Sequence, residues 1–217
     1  MKIKSLLKTS ATGQQVTVKG WVRTFRANRF IALNDGSTLG NLQCVVDFES
    51  MDDALLKSIN TGAAIKITGN YIKSQGKGQS HEIRVTDLNI YGEADPESYP
   101  IQPKKHSLEF LREKAHLRVR TTTFSAVMRL RSALAFGVHQ FFRNEGFQYV
   151  NTPIITGSDA EGAGEMFRVS ALDFENTPLT KEENIDFSKD FFGKETHLTV
   201  SGQLEAETYA MGLGEVY

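Results

Sequence analysis

Through the first 91 residues apolar side chains recur at every second position, the period of strands with one buried face. Val16, Val18 and Val22 mark a first strand, with Gly20 between them at the same parity. Phe30-Ile31-Ala32-Leu33 forms a second, closed by the turn residues Asn34-Asp35-Gly36-Ser37. Leu42, Cys44, Val46 and Phe48 alternate in a third. Ser50-Met51-Asp52-Asp53 then offers an N-cap and an acidic first turn for a short helix ending near Ile59, with Gly62 closing the section. Ile65 and Ile67 begin a fourth strand that bends at Gly69 and runs on to Ile72. A glycine-rich loop at 75–79 leads to a fifth strand over 81–91.

The period then changes. Glu93, Asp95, Pro96, Glu97, Pro100 and Pro103 exclude continuous helix or sheet and predict a linker with some proline stiffness. Basic residues follow (Lys104, Lys105, Arg112, Lys114, Arg118 and Arg120), interleaved with Leu108, Phe110, Leu111 and Leu117. From Phe124 through Val127, Met128, Leu134, Val138, Phe141 and Phe142 the spacing is helical, predicting a long helix over 122–144 bounded by Gly146. Residues 147–155 read as a strand interrupted by Pro153, which suits an edge or interface position. Beyond Thr156 come a glycine-rich loop, an irregular acidic stretch to about Glu195, a strand at 197–201 and a helix over 204–211. The ending, Met211-Gly-Leu-Gly-Glu-Val-Tyr217, reads as a helix stop and the first residues of another strand, so a truncated chain is expected.

Three strands, a helix and two strands within about 90 residues is the order of a five-stranded OB-fold barrel. The expected organisation is that barrel over 1–92, a linker over 93–121 and part of an α/β domain over 122–217. A net charge of −1 conceals an asymmetry. Residues 1–92 carry 12 Lys or Arg against 7 Asp or Glu, and the remainder carries 13 against 19. A basic front and an acidic rear point to two units with different partners. The single cysteine, Cys44, can form neither an internal disulfide nor a metal cluster. With no apolar run of membrane length and no signal-peptide pattern at Met1-Lys2-Ile3-Lys4, a cytoplasmic chain without a membrane partner is expected.

Strand parity assigns faces. With Ile31 and Leu33 inward, Phe30 points out, and an outward aromatic can stack a base. Gln43 faces out beside Cys44, where its amide can both donate to and accept from a base edge. Glu82 and Arg84 face out from the fifth strand, where Glu82, if paired with an arginine or a base amine, gives a negative feature inside a basic surface. Arg23, Arg26 and Arg29 are placed to meet phosphates. Each residue also has an ordinary reading: a lone exposed Phe is common, and Gln or Arg in a strand is usually solvated.

At Gly20-Trp21-Val22, Phe30-Ile31-Ala32-Leu33-Asn34-Asp35-Gly36-Ser37 and Leu42-Gln43-Cys44-Val45 the sequence resembles the anticodon-binding barrel of class II aminoacyl-tRNA synthetases, in the aspartate, asparagine and lysine subgroup. Tyr99 to Arg112 and His116 to Thr121 resemble the linker of the asparaginyl-tRNA synthetases. Phe141 to Gly146 with Phe147 to Pro153 resembles the family's dimer-forming motif 1, and Ser158 to Phe167 its substrate-covering loop. Leu198-Thr199-Val200-Ser201-Gly202-Gln203-Leu204-Glu205-Ala206-Glu207 resembles its amino-acid pocket.

The resemblance implies an incomplete class II catalytic domain built on an antiparallel sheet, from motif 1 to the start of motif 2. It implies that Phe30 stacks on the central anticodon uridine of a tRNA, with Arg26, Gln43 and Glu82 around it. Glu161, Ser201 and Gln203 would hold the amino acid's α-ammonium, and Pro153 would lie in a homodimer interface. A glutamate accepts from an amide NH₂ and repels a carboxylate, so Glu207, ahead of Glu205, reads asparagine rather than aspartate. On the residues alone, Ser201 and Gln203 could equally end a strand and cap a helix. The intact family enzyme would activate asparagine with ATP and Mg²⁺ and transfer it to tRNA. This chain, without the family's later arginines and metal-holding carboxylates, is expected to bind neither cofactor alone and to be inactive. A non-catalytic tRNA-binding or regulatory protein and an aspartate-specific enzyme are the rival readings. The barrel is expected to fold independently, and the rear half to be marginal, self-associating or partly disordered.

Overall fold

A computed structural model describes residues 1–10, 12–49, 51–76, 78–158 and 166–217. The chain divides into two compact units, Met1–Arg131 and Ser132–Tyr217.

The first unit is built on a closed five-stranded barrel: β1 (Gln15–Arg26), β2 (Phe30–Asn34), β3 (Leu42–Val45), β4 (Ala64–Lys73) and β5 (His81–Gly92). β1 pairs antiparallel with β2 and β4, β3 pairs antiparallel with β2, and closure comes from a parallel β3–β5 pairing. The inward parity holds through β2, β3 and β4; it slips on β1 after Val22, where Phe25 packs against the core, and on β5 between Val85 and Leu88. Val18, Val22, Ile31, Leu33, Leu42, Cys44, Ile65, Ile67 and Ile83 are fully or almost fully buried. Burying each such side chain stabilises the barrel by about 1.5–3 kcal/mol. Burial also pushes the Cys44 thiol well above its ordinary range, which leaves it an inert packing group. At Gly20 a Cβ would lie 2.6 Å from the Asn34 carbonyl oxygen, so the strand crossing there requires glycine. The bend expected at Gly69 is a register shift between Thr68 and Gly69 against β5.

Four local readings are corrected. The third strand stops at Val45, and Phe48 lies beyond it, about half exposed. α2 (Asp53–Lys57) ends before Ile59, and its N-terminus is capped by Asp52, whose carboxylate accepts from the Ala54 amide at 3.2 Å; Ser50 lies outside the described residues. The pattern gave no sign of α1 (Ile3–Leu6), a single turn that buries Ile3 and Leu6 completely. The buried Tyr71 hydroxyl donates to the Leu6 carbonyl at 2.7 Å. The Asp35 carboxylate accepts from the Ile3 amide at 2.9 Å and the Ser37 hydroxyl at 2.6 Å. Finally, the linker contains structure of its own: α3 (Leu108–Glu113), a 3-10 turn at Arg118–Arg120, and the buried Ile101 and Leu111.

The second unit holds most of α4 (Thr122–Asn144), whose bounds coincide with the expected 122–144. It also contains a three-stranded antiparallel sheet ordered β6 (Ile155–Thr156), β8 (Thr196–Leu198), β7 (Arg168–Val169), followed by α5 (Gln203–Leu213). The strand expected over 147–155 is not continuous. Gln148 makes one parallel bridge to Val216, and Val150 donates to the Tyr217 carbonyl at 3.0 Å. Pro153 then has no N–H to continue a ladder. Likewise the strand expected at 197–201 is β8, one residue earlier and shorter. Phe142 stacks on Tyr217 with ring centroids 4.6 Å apart, and His139 Nδ1 lies 2.8 Å from the Tyr217 hydroxyl. In the 171–195 segment, Asp190 accepts from the amides of Ala171 and Phe191 at 2.9 and 2.7 Å. Hydrogen bonds, led by that from the Ser170 hydroxyl, hold its carboxyl below the usual carboxylate range.

Candidate functional site

The barrel registers place the candidate RNA-facing residues in two adjacent rows. Arg26 lies opposite Phe30, Phe30 opposite Val45, Val45 opposite Arg84, and Arg84 opposite Asn70. One pleat along, the row is Thr24, Ala32, Gln43, Glu82 and Ile72. Arg26, Phe30, Gln43 and Glu82 come from four strands, yet they share one outward face because directly paired residues point the same way. Phe30, Gln43 and Glu82 are half-buried, while Arg26 and Arg84 are exposed.

The β1–β2 connection shapes the rim of this face. Arg29 donates its amide to the Arg26 carbonyl at 3.1 Å across a two-residue turn in which Ala27 and Asn28 have φ of 51° and 48°. Asparagine tolerates that region, whereas alanine there costs about 1–2 kcal/mol. The turn sets Arg26 and Arg29 at the tip beside Phe30, with the Arg29 guanidinium 5.9 Å from the centre of the Phe30 ring.

The protein partners of Glu82 are polar and neutral, not arginines. Its Oε2 accepts from Gln43 Nε2 at 3.0 Å and from the Ser74 hydroxyl at 2.7 Å. Ser74 was not legible as a site residue, because its role arises from pairing across the β4–β5 hairpin. Arg23 is a further correction. The β1–β2 register slips between Val22 and Thr24, so Arg23 is unpaired against β2 and strand parity fails at it. Its guanidinium donates to the Arg120 carbonyl, and Arg120 in turn stacks 4.9 Å from the Trp21 ring. Burial pushes the Arg23 guanidinium below its ordinary value, Tyr99 opposing and Arg120 adding to the shift. Arg23 therefore joins the linker to the barrel within the first unit.

In the second unit Ser201, Gln203 and Glu207 meet at the start of α5. The Ser201 hydroxyl accepts from the Gln203 amide at 3.1 Å, and Gln203 Nε2 donates to Glu207 Oε1 at 3.0 Å, one turn on. Gly202 packs against Thr152 so closely that a Cβ would collide with that side chain. Ser201 thus closes a turn just ahead of α5, whose N-cap is Gly202, and Gln203 and Glu207 form a polar pair open to solvent on α5. Glu161 lies outside the described residues. Pro153 is exposed, beside Ile154 and Ile155. Arg168, which sequence reasoning passed over, pairs with Glu195 at 2.7 Å beside His197. Among the described residues no three His, Cys, Asp or Glu come together to hold a metal, and no helix is long and apolar enough to cross a membrane.

A model of the OB-fold nucleic acid binding domain of the tRNA anticodon type matches residues 16–91, and a model of the class II tRNA synthetases (D, K and N) matches residues 107–217. The asparagine–tRNA ligase of Cytophaga hutchinsonii is 60% identical over all of this chain and 48% of that protein. That of Porphyromonas gingivalis W83 is 52% identical over all of this chain and 47% of that protein. The crystal structure of asparaginyl-tRNA synthetase from Pyrococcus horikoshii complexed with asparaginyl-adenylate superposes with a TM-score of 0.77 at 21% identity, covering 100% of this chain and 46% of that one. The Entamoeba histolytica asparaginyl-tRNA synthetase in complex with asparaginyl-adenylate gives 0.74 at 23%, covering 96% and 44%. These structural likenesses are likenesses of fold. The chain spans about half the length of the curated relatives it matches.

Proposed function

Because the chain belongs to the class II tRNA synthetases of the D, K and N group, we propose that its barrel reads a tRNA anticodon and that the whole protein joins asparagine to that tRNA in an ATP-dependent reaction. The observation that carries the barrel's role is the placement of Arg26, Phe30, Gln43 and Glu82 in two neighbouring rows of one face. Phe30 supplies a stacking platform, Gln43 a base-edge reader, and Arg26 with Arg29 and Arg84 the cations for flanking phosphates.

On the second unit, Ser201, Gln203 and Glu207, with Glu161, receive the amino acid. Glu207 accepts from the side-chain amide of asparagine and would repel the carboxylate of aspartate. The relatives that are 50–60% identical over the chain are asparagine–tRNA ligases, which supports the same choice. The exposed Pro153 and the apolar face of α4 form the surface that a second copy covers in the whole protein. ATP and Mg²⁺ belong to the whole protein's reaction. Among the described residues no metal-binding cluster is assembled. The reaction is placed in the cytoplasm.

The amino-acid assignment is tested in the whole protein by pyrophosphate exchange. Asparagine should support exchange and aspartate should not, and Glu207→Gln should narrow that preference. Equal exchange with both amino acids would overturn the specificity assigned to Glu207.

A further inference from the structure

The first unit contains a cavity of about 490 Å³ that shares none of the four residues proposed to read bases. It is bounded by β1, the β2–β3 connection, the linker and the first turn of α4, all within that unit. Trp21, one of its lining residues, pairs with Asn34 at the end of the β1–β2 ladder opposite the Arg26–Phe30 pair. The linker wall is ordered. Tyr99 lies against Gly62, where a Cβ would come 2.6 Å from the ring, and Gln102 Nε2 donates to the Tyr99 carbonyl at 2.9 Å. Ile101 beside them is buried. A concavity of this size with mostly apolar walls suits one small organic molecule.

Two guanidiniums, Arg23 and Arg120, line this cavity, and among the described residues no carboxylate pairs with either. Arg23 donates to the Arg120 carbonyl, and Arg120 Nη1 donates to the Tyr99 hydroxyl at 3.3 Å. A guanidinium has five N–H donors, so each fork retains donors beyond these bonds. Both side chains are half-buried, and the Arg120 guanidinium lies 4.9 Å from the centre of the Trp21 ring. Like charges brought together in a partly desolvated site repel, and a shared anion removes that repulsion. Two such forks match the paired oxygens of a carboxylate or a phosphate. Trp21, Tyr99 and Ile101 supply aromatic and apolar surface for a planar body attached to that anion.

We propose that this cavity binds a small aromatic anion, its carboxylate or phosphate held by Arg23 and Arg120 and its ring against Trp21. The two forks stand inside a concavity, which favours a small molecule over the continuous backbone of a nucleic acid. Binding here is independent of anticodon reading.

Trp21 is the chain's only tryptophan, so its fluorescence reports on this cavity. The 217-residue chain is titrated with benzoate and with adenosine monophosphate, each beside its neutral counterpart, benzamide or adenosine. Affinities are taken from calorimetry. At least one anion should change the Trp21 emission saturably, and its neutral counterpart should bind at least about tenfold more weakly, the loss expected of a charge-assisted hydrogen bond. The arm that binds identifies the anion as carboxylate or phosphate. Arg120→Gln should weaken the anion by at least about tenfold and change the neutral compound little. Should that variant fail to fold, the comparison of charged and neutral compounds on the unaltered chain still decides. Equal binding of anion and neutral counterpart, no response of Trp21 to either anion, or undiminished affinity in a folded Arg120→Gln chain would overturn the site. Loss of the response in Phe30→Ala would place the ligand on the barrel's outer face and overturn it as well.

Discussion

The two units of this chain solve the burial of apolar surface in opposite ways. The barrel closes on itself, and its inward side chains from Val18 to Ile83 are almost all inaccessible. In the second unit, among the described residues, neither α4 nor α5 has a single buried residue. Phe136 and Leu134 on α4 are 69% and 60% exposed, and the three strands are two or three residues long. A closed sheet has no edge left to pair and completes its own core. A helix with an apolar face against a rudimentary sheet does not, and exposed apolar surface of that extent marks an interface. The difference teaches where selectivity can be built. The four residues proposed to read bases stand on strands whose opposite faces are packed solid. Those proposed to receive the amino acid stand at the start of a helix with no buried residue.

Substitutions should separate the units most sharply in stability. Ile67→Ala removes a fully buried side chain from the barrel and should cost about 2–5 kcal/mol. Phe136→Ala, on the exposed face of α4, should change the stability of the chain by no more than about 0.5 kcal/mol. Urea titration of both variants checks the pair, and comparable losses would show that α4 is packed far better than its exposure indicates.

A smaller effect comes from acid. Burial pushes the Asp35 carboxyl up, but the hydrogen bonds from Ser37 and from the Ile3 amide outweigh it and hold the group below its usual range. A carboxylate whose folded value is depressed stabilises the fold fully above its unfolded value, about pH 4. That contribution is lost as pH falls through the lower folded value. The barrel should therefore lose stability in that acid range, and Asp35→Asn should flatten the dependence. Melting temperatures between about pH 3 and 6 read this out. An identical acid slope in the variant would remove Asp35 from the account.

The same contrast governs how much could be read from the sequence. Period-two alternation exposed all five strands of the barrel, because each has one packed face. It placed Phe30, Gln43 and Glu82 outward correctly. It failed where the period breaks: Arg23 sits at a register slip, which no count of alternating residues reveals. α1 is too short to show any period, although Ile3 and Leu6 are fully buried. Ser74 meets Glu82 across the hairpin that it closes, a contact between two strands that alternation along one strand does not show. In the second unit the helical spacing gave α4 correctly. The expected strand over 147–155 was not continuous, since a run of apolar residues needs backbone partners to become a strand: Glu215 to Tyr217 partner Gln148 and Val150, whereas Ile154 and Ile155 pair elsewhere, with Thr199 and Leu198. The residues around Ser201 were legible through family resemblance; the local reading, a strand end and a helix cap, does not hold, since β8 ends at Leu198 and the N-cap of α5 is Gly202.

The central claim is that the barrel face reads unpaired bases on Phe30. It is tested most directly by binding this chain to the anticodon stem-loop of the asparagine tRNA with and without Phe30→Ala, beside a loop whose central uridine is replaced. Stacking on one aromatic contributes about 1–3 kcal/mol, so Phe30→Ala should weaken binding by about 5- to 150-fold. The replaced loop should bind more weakly to the unaltered chain. Equal, salt-sensitive binding of every loop to both proteins would contradict the account and reduce the face to a basic surface.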